Sequence, residues 1–383
     1  MLDLQEMRKE IDVIDDQIVK LFEKRMSIAE DVAKFKIETQ KPVFDRTREQ
    51  EKLETLGQKT HSAFNCCGVQ ELYQHIMSIS RKRQYQLLQE SAPPETGEFR
   101  VVETLPKDKV SVVFQGVEGA YSHAAMHAFF GENIQSYHVD TWKDAMEEIK
   151  KGNAFYAVLP IENSTAGIVQ DNYDLLNEYN HVIAGEQIIR CRHVLMGVPG
   201  ATLEDIQSVY SHPQALMQCR EFLDRHETWH CREFSNTAAA AKKVAKDGDK
   251  TQAAIASPYA AEYFGLVPLA TGIYSNPGNS TRFIIVTKEK IYCKDAKKIS
   301  VSYELPHESG SLYNSLSHFI YNGLNMTKIE SRPIAERNWE YRFFVDFEGN
   351  LSDSAVQNAL RGLKAEAQNL RVKKDLLYKC ILP

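Results

Sequence analysis

The sequence has no long apolar run, no strong excess of either charge and no spaced cysteine pairs. No stretch reaches the length a helix needs to cross a bilayer, so no membrane partner is expected. The chain opens directly on an amphipathic pattern rather than on a signal peptide with an apolar core. A net charge of −6 gives no support to a nucleic-acid partner. The seven cysteines are odd in number, form no CxxC pair, and include the adjacent Cys66 and Cys67. They read as reduced thiols of a cytoplasmic protein, not as a disulfide framework or a zinc site. What remains is 383 residues that are 43% hydrophobic and 26% charged, an ordinary soluble composition. That length is enough for two or three domains with their own cores.

The most informative residue is Arg25. Apolar residues recur from Leu4 through Met7, Ile11, Ile14, Ile18 and Leu21, then Ile28, Val32 and Phe35, in alternating steps of three and four. This is a heptad seam, and Arg25 occupies its next position after Leu21. A buried guanidinium without an anion costs several kcal/mol, so the site has to supply one. It is either a glutamate of a partner helix, with Arg25 fixing the register, or a substrate carboxylate in an interhelical cavity. Lys36 lies eleven residues later on the same side of the helix, about 16 Å along its axis. Arg8 lies seventeen residues earlier, about 25 Å away, beyond the reach of one small ligand on one helix. An antiparallel second copy would bring Arg8 in, which points to an intertwined dimer. Asp45, Arg48 and Glu49 open a second helical stretch, and Ser80 and Gln84 share a face of a third.

These three helices, with Arg8, Arg25, Lys36, Asp45, Arg48, Glu49, Ser80 and Gln84 in this arrangement, resemble the all-α chorismate mutases over residues 1–90. The resemblance implies a one-molecule pericyclic rearrangement that needs no metal, cofactor or nucleophile. The protein must hold a compact conformer and stabilise charge growing on the ether oxygen. It further implies that Arg25 and a partner chain's Arg8 clamp the two carboxylates and that Lys36 and Gln84 donate to the ether oxygen. Glu49 would bind the ring hydroxyl, and Asp45, Arg48 and Ser80 would complete the shell.

Residues 91–109 are linker-like, with Pro93, Pro94, Gly97 and Pro106 among charges. From Val110 short β-rich runs alternate with helices. Strands are expected at Val110–Gln115, Tyr156–Pro160 and Ala253–Ile255, and helices near Tyr121–Phe130, Trp142–Lys150, Pro213–Arg225 and Thr237–Ala245. That alternation indicates an α/β domain with largely parallel strands. The turn Gly116–Ser122 lacks the third glycine of a dinucleotide fingerprint and the lysine of a P-loop, and its amides and Ser122 suit a carboxylate equally well. His123 and His127 are four apart but lack the glutamate of a metalloprotease helix, so no metal is expected. Three polar cassettes follow: Glu162-Asn163-Ser164-Thr165 after a strand, Ser211-His212-Pro213-Gln214 with Gln218 one turn on, and Thr281-Arg282-Phe283 leading into the strand Phe283–Val286. Polar groups at strand ends are where open α/β sheets hold ligands. Taken singly, Ser-His-Pro is equally a helix cap and Thr281 a turn hydroxyl.

Together and in this order the cassettes resemble the prephenate dehydratases over residues 110–290. The resemblance implies two α/β subdomains like those of a periplasmic binding protein, with the site in the cleft. The chemistry is loss of carbon dioxide and a hydroxyl from prephenate to give phenylpyruvate, assisted by a hydrogen bond from Thr281 to the leaving oxygen. Asn163, Ser211, Gln214 and Gln218 would contact substrate. Arg282 would pair with a carboxylate or be structural, and Glu162 would brace the loop.

Residues 297–383 read as β-α-β-β-α-β, a ferredoxin-like α+β unit with no cluster of catalytic residue types. The segments Gly310-Ser311-Leu312 and Glu330-Ser331-Arg332-Pro333 resemble those of amino-acid-sensing ACT domains, with serine in place of the usual alanine. Gly310 at a helix start would leave amides free for a ligand carboxylate. A dimerisation module without ligand is the alternative. The whole is multidomain: an all-α mutase part, an α/β two-subdomain dehydratase and an ACT domain. It resembles the bifunctional chorismate mutase/prephenate dehydratases, which implies chorismate, prephenate and L-phenylalanine as ligands and a homodimer or higher homo-oligomer. A non-catalytic phenylalanine sensor, or an enzyme with one activity lost, are the rivals.

Overall fold

The computed structural model describes residues 3–90, 99–334 and 337–379. It divides into two compact units, one comprising Met1–Gly97 with Ile299–Val372, the other Glu98–Lys298 with Lys373–Pro383.

The first unit begins with helix α1, Leu4–Thr39, which the Asp3 side chain caps by accepting from the Gln5 amide. It stops at Gln40, whose left-handed backbone ends the hydrogen-bond ladder. Helix α2, Arg46–Gly57, starts at Asp45, and α3 spans Ala63–Glu90. Both α1 and α2 pack on α3. The heptad seam of α1 is nonetheless open: Leu4, Ile11, Ile14, Ile18, Leu21, Ile28, Val32 and Phe35 are between 40% and 67% exposed. A continuous apolar stripe of this length is far more than a monomer surface ordinarily shows.

The same unit contains the helices Ser311–Tyr321 and Ser354–Glu366, alternating with strands in the order β-α-β-β-α-β. Its strands neighbour one another as Met326–Ile334, Arg337–Glu348, Lys298–Glu304 and Gln368–Lys379. Tyr303, Phe319, Val345, Phe347 and Leu363 fill the core beneath. Helix α3 lies against Ser354–Glu366, and Gly362 on the latter lets the helix Ser311–Tyr321 bring its His318 ring close. A Cβ there would come within 2.6 Å of the His318 ring and 3.4 Å of Tyr85.

The second unit holds two sheets. In the first, Val182–Arg190, Ser280–Thr287, Tyr156–Asn163, Ser111–Gln115 and Gln135–Val139 lie side by side. The second sheet is five-stranded: Val267–Ala270, Val194–Gly197, Gln252–Ala256, Ser208–Ser211, His230–Glu233. The chain crosses from one to the other at Cys191–His193 and returns between Ala270 and Ser280. These crossings change the expected strand directions. Ser111–Gln115 is parallel to both its neighbours, whereas Ser280–Thr287 is antiparallel to both of its own. In the second sheet Val194–Gly197 is likewise antiparallel on both sides. Each sheet is therefore mixed, because the strand that brings the chain across runs against the others.

Two further expectations are corrected. Residues 91–98, with Pro93, Pro94 and Gly97, lie outside the described residues. The remainder of the presumed linker is part of the fold: Arg100–Val102 pairs in parallel with Ile291–Cys293, and Leu105 is buried in the core. The helix expected over Pro213–Arg225 is two short ones, Pro213–Gln218 and Arg220–Leu223, broken at the buried Cys219.

His123 and His127 are turned toward each other, Nε2 to Nε2 at 3.0 Å. His123 Nδ1 accepts from the Gly119 amide and faces the Tyr259 hydroxyl at 3.1 Å, so its proton sits on Nε2 and points at His127. A second proton on His123 would have to displace the Gly119 N–H. Burial first, then His127, holds its pKa down to about 4. The neutral form is the folded form, so this contribution to stability is complete above the ordinary histidine value of about 6.5 and is lost as pH falls toward about 4. Thermal unfolding midpoints measured across that window should drop with falling pH, and His123→Gln should make the slope shallower. An unchanged slope would mean that His123 is not a group that titrates on unfolding.

Candidate active sites

The first site is built on α1–α3. Arg25, half-buried on α1, donates from Nη1 to Ser80 Oγ on α3 at 2.5 Å. Ser80 in turn donates to the Ile76 carbonyl of its own helix at 2.9 Å, so its hydroxyl is fixed as the acceptor. Lys36 donates to the Val43 carbonyl at 2.7 Å, just before α2. Burial lowers the pKa of both cations. The charges that act on Lys36 come from Arg48, Asp45, Glu49 and Arg81, while Tyr73 and Glu49 act on Arg25, so these side chains converge. Glu49 is paired with Arg81 on α3. Gln84 is buried nearby on α3, and its Oε1 has no hydrogen-bond partner.

Of the sequence-expected set, Arg25, Lys36, Asp45, Arg48, Glu49 and Ser80 meet within one chain. Asp45 carries a second duty, capping α2 by accepting from the Arg48 amide at 3.1 Å. Arg8 is exposed near the start of α1 and about 25 Å of helix from Arg25. Arg81 was not foreseen; in the run Ser-Arg-Lys-Arg at 80–83 it reads as one of several solvated cations.

The second site lies in the other unit, where the chain crosses between the two sheets. Thr281 opens the returning strand, and its Oγ1 accepts from Asn163 Nδ2 at 2.9 Å and lies 3.1 Å from Cys191 Sγ. Asn163 Nδ2 also reaches Asn279 Oδ1 at 2.9 Å. Asn279 Nδ2 donates to Gln218 Oε1 at 3.2 Å, and His193 Nε2 donates to the same oxygen at 2.9 Å. Since Gln218 offers an acceptor there, His193 carries its proton on Nε2. Its Nδ1 then accepts from the Tyr121 hydroxyl at 3.1 Å. Six side chains thus form one hydrogen-bonded line from Tyr121 to Thr281. Burial keeps its titratable members and the adjoining Cys191 neutral, lowering the pKa of His193 and raising those of Cys191 and Tyr121. Tyr121 also lines a cavity of about 320 Å³ with Gln187, Arg190, Arg192 and Tyr259.

The structure redistributes the expected roles. Asn163 spends Oδ1 on the Thr165 and Ala166 amides and Nδ2 on Thr281 and Asn279, which makes it a brace for Thr281 rather than a free substrate contact. Ser211 is fully buried, and its hydroxyl donates to the Ile255 carbonyl at 2.6 Å, tying two strands together. His212 caps the helix Pro213–Gln218 by accepting from the Gln214 amide, which is the plain helix-start reading of Ser-His-Pro. Ser122 donates to the Gln115 carbonyl at 2.7 Å, so its hydroxyl closes its own turn rather than holding a carboxylate. Arg282 is engaged by protein carboxylates, Glu162 at 3.1 Å and the buried Glu186 at 3.4 Å, with Lys298 on Glu186 as well. His193 and Asn279 belong to the line, and Cys191 touches its end at Thr281, without standing in any recognisable motif. Of the regulatory set, Gly310 (φ +79°) heads the helix Ser311–Tyr321, with Ser311 and Leu312 in its first turn. Glu330, Ser331, Arg332 and Pro333 lie on the strand paired with Arg337–Glu348.

A helical cluster rich in cations and a neutral hydrogen-bonded cleft are two different chemical settings, one in each unit, of the kind an enzyme with two activities carries. Sequence models agree: chorismate mutase type II matches residues 7–85, and prephenate dehydratase matches residues 112–291. The bifunctional chorismate mutase/prephenate dehydratase of Aquifex aeolicus (strain VF5) is 31% identical over 373 residues, covering 97% of each chain. That of Escherichia coli (strain K12) is 30% identical over 376 residues, covering 96% of this chain and 94% of its own. The solved prephenate dehydratase of Arthrobacter aurescens, in complex with L-Phe, is 32% identical with a TM-score of 0.64, over 70% of this chain and 90% of its own. The chain belongs to the bifunctional chorismate mutase/prephenate dehydratases. It is an isomerase and a lyase in one polypeptide.

Arg282 gives this site its most direct stability test. Arg282→Met should leave the buried Glu186 with Lys298 alone and lower unfolding free energy by roughly 3 kcal/mol, read from urea midpoints. A variant as stable as wild type but without dehydratase activity would make Arg282 a substrate contact instead.

Proposed function

We propose that the α1–α3 site rearranges chorismate to prephenate, that the Thr281 site converts prephenate to phenylpyruvate, and that phenylalanine binding at the Gly310 module feeds back on the enzyme. The observation that carries the reading is the convergence of Arg25, Lys36, Glu49 and Ser80 from three helices around a place with two half-buried cations. A dicarboxylate is the ligand such a place lacks. Arg25, oriented by Ser80, grips one carboxylate, and Arg8 of a second copy grips the other. Lys36 uses one hydrogen on Val43 and keeps others for the ether oxygen, where negative charge grows as the bond breaks. Gln84 donates to the same oxygen and Glu49 accepts from the ring hydroxyl.

In the cleft, Thr281 Oγ1 accepts from Asn163, which leaves its own proton to be offered outward to the departing hydroxyl. A threonine is too weak an acid to transfer that proton fully, so it stabilises the leaving oxygen by hydrogen bonding while aromatisation drives loss of carbon dioxide. Gln218 and its neighbours fix the wall against which the ring sits. For the regulatory module, the similar Arthrobacter aurescens protein was solved with L-Phe, and Gly310 presents a helix start of the kind that receives a carboxylate. We read the β-α-β-β-α-β portion as an ACT domain and the protein as cytoplasmic. Among the described residues no helix is long and apolar enough to cross a membrane.

Purified protein incubated with chorismate alone should yield phenylpyruvate, suppressed by added phenylalanine. Lys36→Ala should cut mutase kcat by at least ~100-fold and leave dehydratase rates on added prephenate unchanged; Thr281→Ala should do the reverse. One substitution that abolished both steps would refute separate sites. No turnover of either substrate, with phenylalanine still bound, would favour the sensor reading.

The open seam of α1 gives a second expectation, that the protein is at least a homodimer through this helix. Ile14→Asp with Ile18→Asp should reduce its mass in analytical ultracentrifugation and remove mutase activity, because Arg8 of the second copy is then lost. Retention of full mutase activity by a monomer would show that one chain completes the clamp.

A further inference from the structure

We propose that Arg81 is a positioning residue for the mutase reaction, and that the regulatory module acts on the mutase site through the Arg81–Glu366 pair. The proposal rests on the mutase and sensing roles assigned above. Arg81 is 6% exposed, on the face of α3 that meets both α2 and the helix Ser354–Glu366. Its Nη1 pairs with Glu49, the expected ligand of the ring hydroxyl. Its Nε donates to Glu366 Oε1 at 2.8 Å, and its guanidinium plane lies over the Phe44 ring, 4.8 Å from the centroid. The fork geometry of guanidinium holds two carboxylates in fixed relation, so Glu49 cannot reorient without disturbing Glu366.

The far oxygen of Glu366 lies 3.2 Å from His318 Nε2. Burial raises the pKa of Glu366, but His318 and then Arg81 outweigh it and bring the group to about 2. His318 stands on the helix Ser311–Tyr321, the one headed by Gly310. A cavity of about 150 Å³ is walled by Glu49 and Arg81 on one side and by Glu308, Ser311 and Glu366 on the other. The mutase carboxylate and the first turn of the sensing helix therefore border the same space. The neighbouring Lys82 has a different employment: it donates to Ser78 at 2.8 Å and Ser317 at 2.7 Å and faces the Tyr321 ring.

Arg81 also has a reason to matter before any effector binds. Glu49 is the carboxylate that acts on both Arg25 and Lys36. Released from Arg81, it would turn to one of them and neutralise the clamp that awaits the substrate. The loss should fall on substrate binding more than on the rearrangement itself. A ligand at Gly310 that shifts the sensing helix would move Glu366 through His318 and change how firmly Arg81 restrains Glu49.

The test uses the full chain, with mutase rates on chorismate, dehydratase rates on prephenate, and phenylalanine binding by calorimetry. Arg81→Lys, which keeps the charge but loses the fork, should raise KM for chorismate about tenfold with kcat within about threefold, and leave the dehydratase unchanged. Glu366→Gln, which loosens the hold on Arg81, should raise KM for chorismate without effector by less than Arg81→Lys does and reduce the mutase response to phenylalanine at least ~5-fold, while phenylalanine still binds and still inhibits the dehydratase. Glu366→Asp serves if Glu366→Gln does not fold. A wild-type KM in Arg81→Lys, or full mutase inhibition in a Glu366 variant that binds phenylalanine, would overturn the proposal. So would a wild-type mutase indifferent to bound phenylalanine. A wild-type chain that leaves chorismate untouched would instead bring down the mutase reading itself.

Discussion

A cation taken out of water has to find its negative charge inside the protein, and the way this chain meets or fails that demand marks its chemistry. Arg81 is paired with two carboxylates, and Arg282 with two more. Arg25 and Lys36, on α1, belong to the same helical cluster as Arg81 on α3 and are treated differently. Their hydrogen-bond partners are a serine hydroxyl and a backbone carbonyl, both neutral, and burial depresses the pKa of each. Two half-buried positive charges answered by neutral oxygens are a standing deficit of anion. A dicarboxylate substrate removes the deficit when it binds, which is how a site can be stable enough to fold and still attract its ligand. Holding Glu49 away on Arg81 keeps that deficit from being filled internally.

The Thr281 site, on the proposed reading that of the dehydratase, solves a different problem with neutral groups. Along the line from Tyr121 to Thr281 the Asn163 amide nitrogen serves two acceptors and the Gln218 oxygen receives two donors, and burial keeps the histidine unprotonated and the phenol and the adjoining thiol protonated. A charged base there would be free to take a proton from the substrate, which the reaction does not require. Departure of a hydroxyl needs a donor aimed at the leaving oxygen, and a line of fixed dipoles supplies that without reorganising. Its location follows from topology. Cys191 and His193 sit on the outward crossing between sheets, Asn279 and Thr281 on the return, so two passages of the chain are laced together by these hydrogen bonds.

How much of this the sequence disclosed depends on the range of the signal. Arg25 stands out because a heptad is a local pattern and one charge breaks it; Ser80 and Gln84 are a turn apart on one helix and read easily. Asn163, Ser211 and Arg282 were found as site candidates but given other tasks by the fold. Their partners, Thr281, Ile255 and Glu186, are separated from them by 118, 44 and 96 positions, and strand pairing alone brings them together. Arg81 was illegible for the opposite reason. Its local setting, five polar residues in succession on a helix, is that of a solvated face, and what buries it is a helix almost three hundred residues further along. The mixed sheets escaped because alternation of strands and helices says nothing about the direction in which a crossing strand returns.

The two sites also differ in what a single chain can complete. Every link from Tyr121 to Thr281 comes from one polypeptide. On the proposed reading the helical clamp is short of one arginine, since about 25 Å of rigid α-helix separates Arg8 from Arg25. A helix cannot fold back on itself to close that distance, and the exposed apolar seam runs along the same stretch. Covering the seam with an antiparallel copy would bury the stripe and deliver that guanidinium in one act, so that hydrophobic burial, far larger in area than any single ion pair, would fix the geometry of the charge. On the proposed reading the mutase is then a property of the assembly and the dehydratase a property of the chain. Regulation that altered the packing of helices would be felt first by the activity whose site is shared.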